Sequence, residues 1–463
     1  MIAATPAATP AATPVDTPLG APVEAVPAPA YRGDLAEDAL LLAAFTAAGE
    51  EQLATLPVKR ERDTAEQDLA QRVLTACRAA RRGFLVRHAE AVYDVLTDGR
   101  TRLVRLPDLV FAAADRFPGL TPTRAAMAAE DGVIQAEKDG LEADQALFCH
   151  AVLNSPVAGR HLIDAMLAPT PRAQELLPAF RDTGRIELDS VLVERRGDAA
   201  HVTFRNAHCL NAEDNRLIAD LETAVDLVLL DDRVRVGVLR GGEVDHPAYA
   251  GRRVFSAGIN LKDLRNGDIS FMEFLLGREL GYINKMYRGL LTAPEHGAWA
   301  ERTVQKPWVG AVDAFAIGGG MQLLLVLDHV IAEEDAYFSL PAAEEGIVPG
   351  LGNLRLSRLT GARTARQVLL GGRRIAMSDP EARLVCDEVV PATAMDDAVE
   401  RAVAALSAPA VAANRRMLGL VEEPLELFRG YLAEFALVQV ERSYSDDVLA
   451  KVERRWQRSQ GRR

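Results

Sequence analysis

The stretch Ala316-Ile317-Gly318-Gly319-Gly320-Met321-Gln322-Leu323 leaves this chain few options. A buried apolar run, Trp308 to Val312, reads as a strand and leads through three glycines into a helical pattern. Strands alternating with helices imply βαβ units and parallel crossovers, an α/β fold. Glycine lets the backbone approach a ligand closely, and the first amides of a helix have no partner inside it. A second turn of this kind runs from Phe255 to Leu264 and contains Ser256-Ala257-Gly258-Ile259-Asn260. Either turn alone can be just a tight turn. Two of them facing one point would form an oxyanion hole for a thioester carbonyl.

The rest of the chain divides by composition. Residues 1–30 repeat Ala-Ala-Thr-Pro and hold few large apolar groups, so they predict a disordered tail. Residues 31–184 read as an all-α domain, with apolar residues three and four apart and prolines breaking the helices. Residues 185–393 hold the strands. Ser190–Glu194 and His201–Phe204 flank an Arg-Gly-Asp turn, a helix follows over about 211–229, and further strands fall near 234–239 and 329–332. Residues 394–463 are helical again.

Several classes fall away. A net charge of −13 disfavours nucleic acid, although a local Lys/Arg cluster can still hold an anionic group. The best apolar run, Val309 to Ala332, is interrupted by Asp313, four glycines, Gln322 and Asp328, so no membrane span is expected. The four cysteines are scattered without a CxxC pair, which predicts free thiols in a reducing cytoplasm. His88-Ala89-Glu90 lies in a helical pattern where residues two apart diverge, so no metal site is expected there. Gly350-Leu351-Gly352 lacks the third glycine of a dinucleotide loop.

Taken in order, Phe255–Leu264, Lys306–Leu323 and Phe338–Leu356 resemble the crotonase (enoyl-CoA hydratase/isomerase) superfamily, from about Ile186 to the C-terminus. That resemblance implies a crotonase-like ββα spiral core between the all-α N-terminal domain and the C-terminal helices. It implies that the amides of Ile259 and Gly319, with Gly320 beside them, hold the thioester oxygen. Ala257, Gly258, Asn260 and Lys262 would line the coenzyme A site. His246 and Tyr249, on the inserted loop 240–253, and Lys285 are further candidates for coenzyme A. The last helices would assemble a homotrimer or a dimer of trimers.

The departures narrow the chemistry. Hydratases of this superfamily carry a Glu at the position of Gln322 and a second just after the Pro that is Pro341 here, where this chain has Ala342. An amide cannot exchange protons near neutral pH and Ala has none to exchange, so simple hydration is disfavoured. The helical N-terminal domain and the insertions resemble a branch that oxygenates arylacetyl-CoA thioesters with O2, without metal, flavin or haem. The resemblance then implies a dioxygenase whose substrate is a dihydroxyphenylacetyl thioester, giving an arylglyoxylate and free coenzyme A, in the supply of dihydroxyphenylglycine for glycopeptide antibiotics. Glu213, Arg278 and Gln322 would bind the substrate. From the residues alone, Glu213 is equally a first-turn acid, Arg278 a solvated ion-pair partner, and Gln322 a helix N-terminal residue. Another CoA-thioester reaction (hydration, isomerisation or hydrolysis) and a non-catalytic acyl-CoA-binding protein remain as alternatives.

Overall fold

The computed structural model describes residues 27–295 and 302–460. Most of the Ala/Thr/Pro-rich tail lies outside the described residues. Seven helices come first: α1 (Leu35–Ala54), α2 (Thr64–Leu96), α3 (Leu106–Arg116), α4 (Arg124–Glu130), α5 (Glu142–Asn154), α6 (Pro156–Leu167) and α7 (Pro171–Thr183). Their starts follow capping rules. Asp34, Thr123, Ser155 and Thr170 accept from first-turn amides, and Pro156 and Pro171 occupy positions where no N–H is needed.

Two compact units divide between Phe84 and Leu85, inside α2. In the first, the Tyr31 hydroxyl donates to Ala80 O at 3.0 Å and its ring meets Phe84 edge-on. The second unit holds α3–α7 and everything downstream.

Its main sheet is built from β1 (Arg185–Glu187), β2 (Val191–Arg196), β3 (Ala199–Phe204), β4 (Val236–Gly241), β5 (Trp308–Val312), β7 (His329–Glu333) and β10 (Glu388–Val390), side by side in that order. The first three pair antiparallel; from β3 onward every pair is parallel. A second sheet joins β6 (Phe315–Ile317), β8 (Tyr337–Ser339) and β9 (Ile375–Ala376). The chain therefore winds as a spiral. Each turn contributes one strand to the long sheet, one extended segment to the short sheet and then a helix. β5, β6 and α12 (Gly319–Leu324) form one turn; β7, β8 and α13 (Ala342–Glu345) form the next. β4, the Ser256 bridge to Ala316 and α9 (Leu261–Asn266) form the one before.

β5 is buried at all five positions because both faces of the sheet are covered. Trp308 and Val312 face the large core with α8 (Asn215–Leu230). Val309 and Ala311 face the other way, onto Met395, Ala398, Val399 and Ala402 of α15 (Met395–Leu406). Each large apolar side chain so buried contributes roughly 1.5–3 kcal/mol. Between β4 and β5 lie a π-helical turn (Phe271–Leu276), α10 (Gly277–Leu280) and α11 (Tyr282–Arg288). After the spiral come α14 (Gly352–Leu369), α15, α16 (Pro409–Glu422), α17 (Leu425–Ser443) and α18 (Asp446–Gln460).

Candidate active site

The two glycine turns meet. Ser256 bridges Ala316 and Glu213 bridges Ile259, both in the parallel sense. Gly258 (φ +83°) and Gly318 (φ +54°) take backbone angles that L side chains resist. A Cβ on Gly258 would lie 3.3 Å from Gly318 Cα and 3.4 Å from the Gly319 nitrogen. The Glu213–Ile259 bridge uses the amides of Glu213, donating to Gly258 O at 2.7 Å, and Asn260, donating to Glu213 O at 2.8 Å. The Ile259 amide stands outside that ladder. Gly319 opens α12, where first amides lack a helical acceptor. Ile259 and Gly319 line one cavity of about 360 Å³.

A buried charge cluster closes one side of this cavity. Arg278 is 3 % exposed, Glu213 2 % and Glu279 1 %. Arg278 Nη1 donates to Gln322 Oε1 at 2.7 Å and Glu279 Oε1 at 2.9 Å. Its Nη2 donates to Gly319 O at 2.8 Å and Glu213 Oε1 at 3.0 Å. Nε lies 3.0 Å from Glu213 Oε2, close enough for an ion pair but not aligned as a hydrogen bond. One guanidinium thus ties the Gly319 turn to the side chains of Glu213, Glu279 and Gln322. Burial works against its charge, but Glu213, with Glu279, more than offsets that and holds its pKa above the ordinary arginine value. Burial raises the Glu279 carboxyl, only partly opposed by Arg278 and Arg355. There is no room at Gly319 for a side chain: a Cβ there would sit 2.0 Å from Glu213 Oε2.

An adjoining wall comes from the loop 346–350 and the distant helix α17. Gly350 must be glycine, since a Cβ would fall 1.9 Å from Glu279 Oε1. The Tyr431 hydroxyl donates to Gly350 O at 2.8 Å, the Val348 amide to Gln439 Oε1 at 2.9 Å, and Arg442 Nε to Gly346 O at 2.7 Å. Phe435, also on α17, lines the cavity.

Of the residues expected from sequence, Glu213, Ala257, Gly258, Ile259, Arg278, Gly319 and Gln322 line this cavity together. Gly320 packs beneath it, against Ser256. Asn260 is the N-cap of α9, its Oδ1 accepting from Lys262 N at 3.1 Å. Lys262 is exposed on that helix. His246 and Tyr249 stand on their loop, with Tyr249 edge-on to Phe315 at 5.2 Å. Lys285 corrects its expectation. It is fully buried and paired at 2.8 Å with both Glu222 and Asp226, so no coenzyme A phosphate can reach it. Ala342 lines the cavity where hydratases carry their second Glu, and Glu344 and Glu345 reach the lining nearby. Sequence reasoning missed Glu279, Phe435 and Tyr431. Glu279 looked like the partner of a surface arginine, and the other two come from a helix some eighty residues downstream. Among the described residues no three His, Cys, Asp or Glu side chains gather so as to hold a metal ion. No helix among them is long and apolar enough to cross a membrane.

Both glycine turns of the ββα spiral line one cavity, and residues 194–419 match the family model described as enoyl-CoA hydratase/isomerase. The chain belongs to this crotonase family. It is 57 % identical over 403 residues to the (3,5-dihydroxyphenyl)acetyl-CoA 1,2-dioxygenase of Amycolatopsis orientalis, covering 87 % of this chain and 92 % of that one. A probable enoyl-CoA hydratase of Rhizobium meliloti is 31 % identical over 226 residues, covering 48 % of this chain and 78 % of its own length. A solved enoyl-CoA hydratase from Mycobacterium avium subsp. paratuberculosis aligns with a TM-score of 0.48 and 21 % identity, over 59 % of this chain and 97 % of that one.

Proposed function

We propose that this chain is a dioxygenase that converts (3,5-dihydroxyphenyl)acetyl-CoA and O2 to 3,5-dihydroxyphenylglyoxylate and free coenzyme A. The observation that carries this reading is the set of groups sharing one cavity. Ile259 and Gly319, whose amides would take a thioester oxygen, line it together with Gln322 and Ala342, which stand where a hydratase needs carboxylates. The 57 % identity to a dioxygenase of that name supports the same substrate.

Removal of a proton from the carbon between ring and thioester gives an enolate, whose oxygen the Ile259 and Gly319 amides hold. The dihydroxyphenyl ring spreads the charge. So electron-rich an anion can pass one electron to O2, and recombination places a peroxide on that carbon. Peroxide attack on the thioester carbonyl expels coenzyme A and closes a four-membered peroxide ring; loss of the remaining proton from the carbon next to the aryl ring then breaks the O–O bond, and both oxygen atoms stay in the keto acid. No step calls on a metal or organic cofactor. Glu213 and Gln322 take the ring hydroxyls. Arg278 Nη1 holds Gln322 Oε1, so the amide nitrogen is the end left for a ligand. The buried setting excludes water that would otherwise protonate the enolate. Exposed Met417, Leu418, Leu420 and Val421 on α16 support assembly of several copies.

The test is an oxygen-electrode trace with arylacetyl-CoA and protein shown to be free of iron and copper. The expected result is one O2 consumed per coenzyme A released. Turnover that proceeds under nitrogen, or that needs added metal, would overturn the proposal.

A further inference from the structure

Forming the enolate needs a base, and the cavity offers few. Among the described residues no histidine lines it. Of its other carboxylates, Glu344 is exposed to solvent, Glu345 next to it is only half-buried, and Glu213 has an oxygen within 3.0 Å of Arg278 on each side. A carboxylate clasped at both oxygens serves as a counter-charge, because accepting a proton would give up that pairing.

Glu279 differs. It directly follows Arg278 in α10, just past a π-helical turn, a distortion that recurs at functional sites. It is 1 % exposed and lines the cavity. Its Oε1 is held by Arg278 and pressed against Gly350. Among the described residues its Oε2 has no aligned hydrogen-bond donor; the Leu351 amide faces the carboxylate, and Arg355 Nη1 is 3.6 Å from Oε2. A buried polar atom left unsatisfied costs stability, and its retention calls for a reason such as a catalytic role. Arg355 is itself committed to Glu423, with contacts of 2.9 and 3.1 Å.

On the reading above, we propose that Glu279 is the base that takes the proton from the carbon between ring and thioester. The C–H bond breaks, the proton passes to Oε2, and the bonding electron pair moves into the enolate held by Ile259 and Gly319. Nothing is oxidised or reduced in this step. The burial that raises this carboxyl also makes it a stronger base than an exposed one. Oε1 stays on Arg278, which keeps the carboxyl oriented as it gains its proton.

The experiment separates proton removal from oxygenation. Protein and (3,5-dihydroxyphenyl)acetyl-CoA are held without O2 in D2O, and deuterium entering the reacting carbon is followed by mass spectrometry. The wild-type protein should exchange. Glu279→Gln should slow exchange by about 10²- to 10⁴-fold, the usual range for a positioned base, while the Kd for the thioester changes less than about threefold. Glu213→Gln should exchange faster than Glu279→Gln. If Glu279→Gln fails to fold, Glu279→Asp keeps the charge but withdraws the oxygen, and it should lose about tenfold or more. Exchange near the wild-type rate in either Glu279 variant, or loss confined to Glu213→Gln, overturns the assignment. No exchange in the wild-type protein would sink the enolate reading and this assignment with it.

Discussion

Arg278 and Lys285 sit on neighbouring short helices, both buried and each held between two carboxylates, yet they belong to different kinds of structure. Lys285 bonds Glu222 and Asp226 at 2.8 Å. Glu222 also accepts from Arg105 at 2.5 Å, and Asp226 from the Thr170 amide at 2.7 Å. None of the buried atoms left without a hydrogen bond belongs to Lys285, Glu222 or Asp226. Around Arg278 the unpartnered atoms gather instead: its own Nε, Glu279 Oε2 and the Tyr282 hydroxyl. Arg278 and Glu279 line a cavity, whereas Lys285 is fully enclosed. Buried charge alone therefore does not mark a site. Unfilled bonding capacity facing a void does.

Four substitutions probe that contrast. Lys285→Met leaves two buried carboxylates uncompensated and should cost about 3–5 kcal/mol in denaturant unfolding, with kcat of the folded protein unchanged. A loss below about 1 kcal/mol would mean that this cluster, too, is not structural. Gly319→Pro would remove one oxyanion donor and also press a Cβ onto Glu213 Oε2. Its kcat should fall by at least about 10²- to 10³-fold, the roughly 2.7–4 kcal/mol expected of the donor alone; activity that survives would refute the placement of the thioester oxygen. Glu213→Gln should lower the preference for hydroxylated over unsubstituted arylacetyl-CoA by about ten- to a hundredfold in kcat/KM, matching 1.5–3 kcal/mol for a hydrogen bond to a charged group. An unchanged ratio would take Glu213 out of ring recognition. Asn260→Ala should give the smallest change, about 1 kcal/mol of stability, as loss of an N-cap. Should coenzyme A affinity drop tenfold instead, Asn260 does more than cap α9.

The spiral was legible where the signal is local. Trp308–Val312 forms a strand over the span its apolar run suggested, and both glycine turns lead into helices. Departures at Gln322 and Ala342 stood out because neighbouring residues set their alignment. Side-chain partnerships were harder, because they are long-range. Arg278 reaches Gln322 across 44 residues and Glu213 across 65, while Lys285 reaches Asp226 across 59. Nothing near Lys285 in sequence distinguishes it from an exposed lysine, and Arg278-Glu279 reads as a solvated pair. Which charges are buried is decided by packing, and a window of a dozen residues does not contain it.

The hold of α17 on the loop 346–350 has a consequence for partial unfolding. Tyr431 and Gln439 reach back across 81 and 91 residues to fasten that loop, and Phe435 lines the cavity between them. Fraying of this one helix would therefore breach the chamber while both glycine turns stay formed, so the site should admit solvent before the spiral itself comes apart.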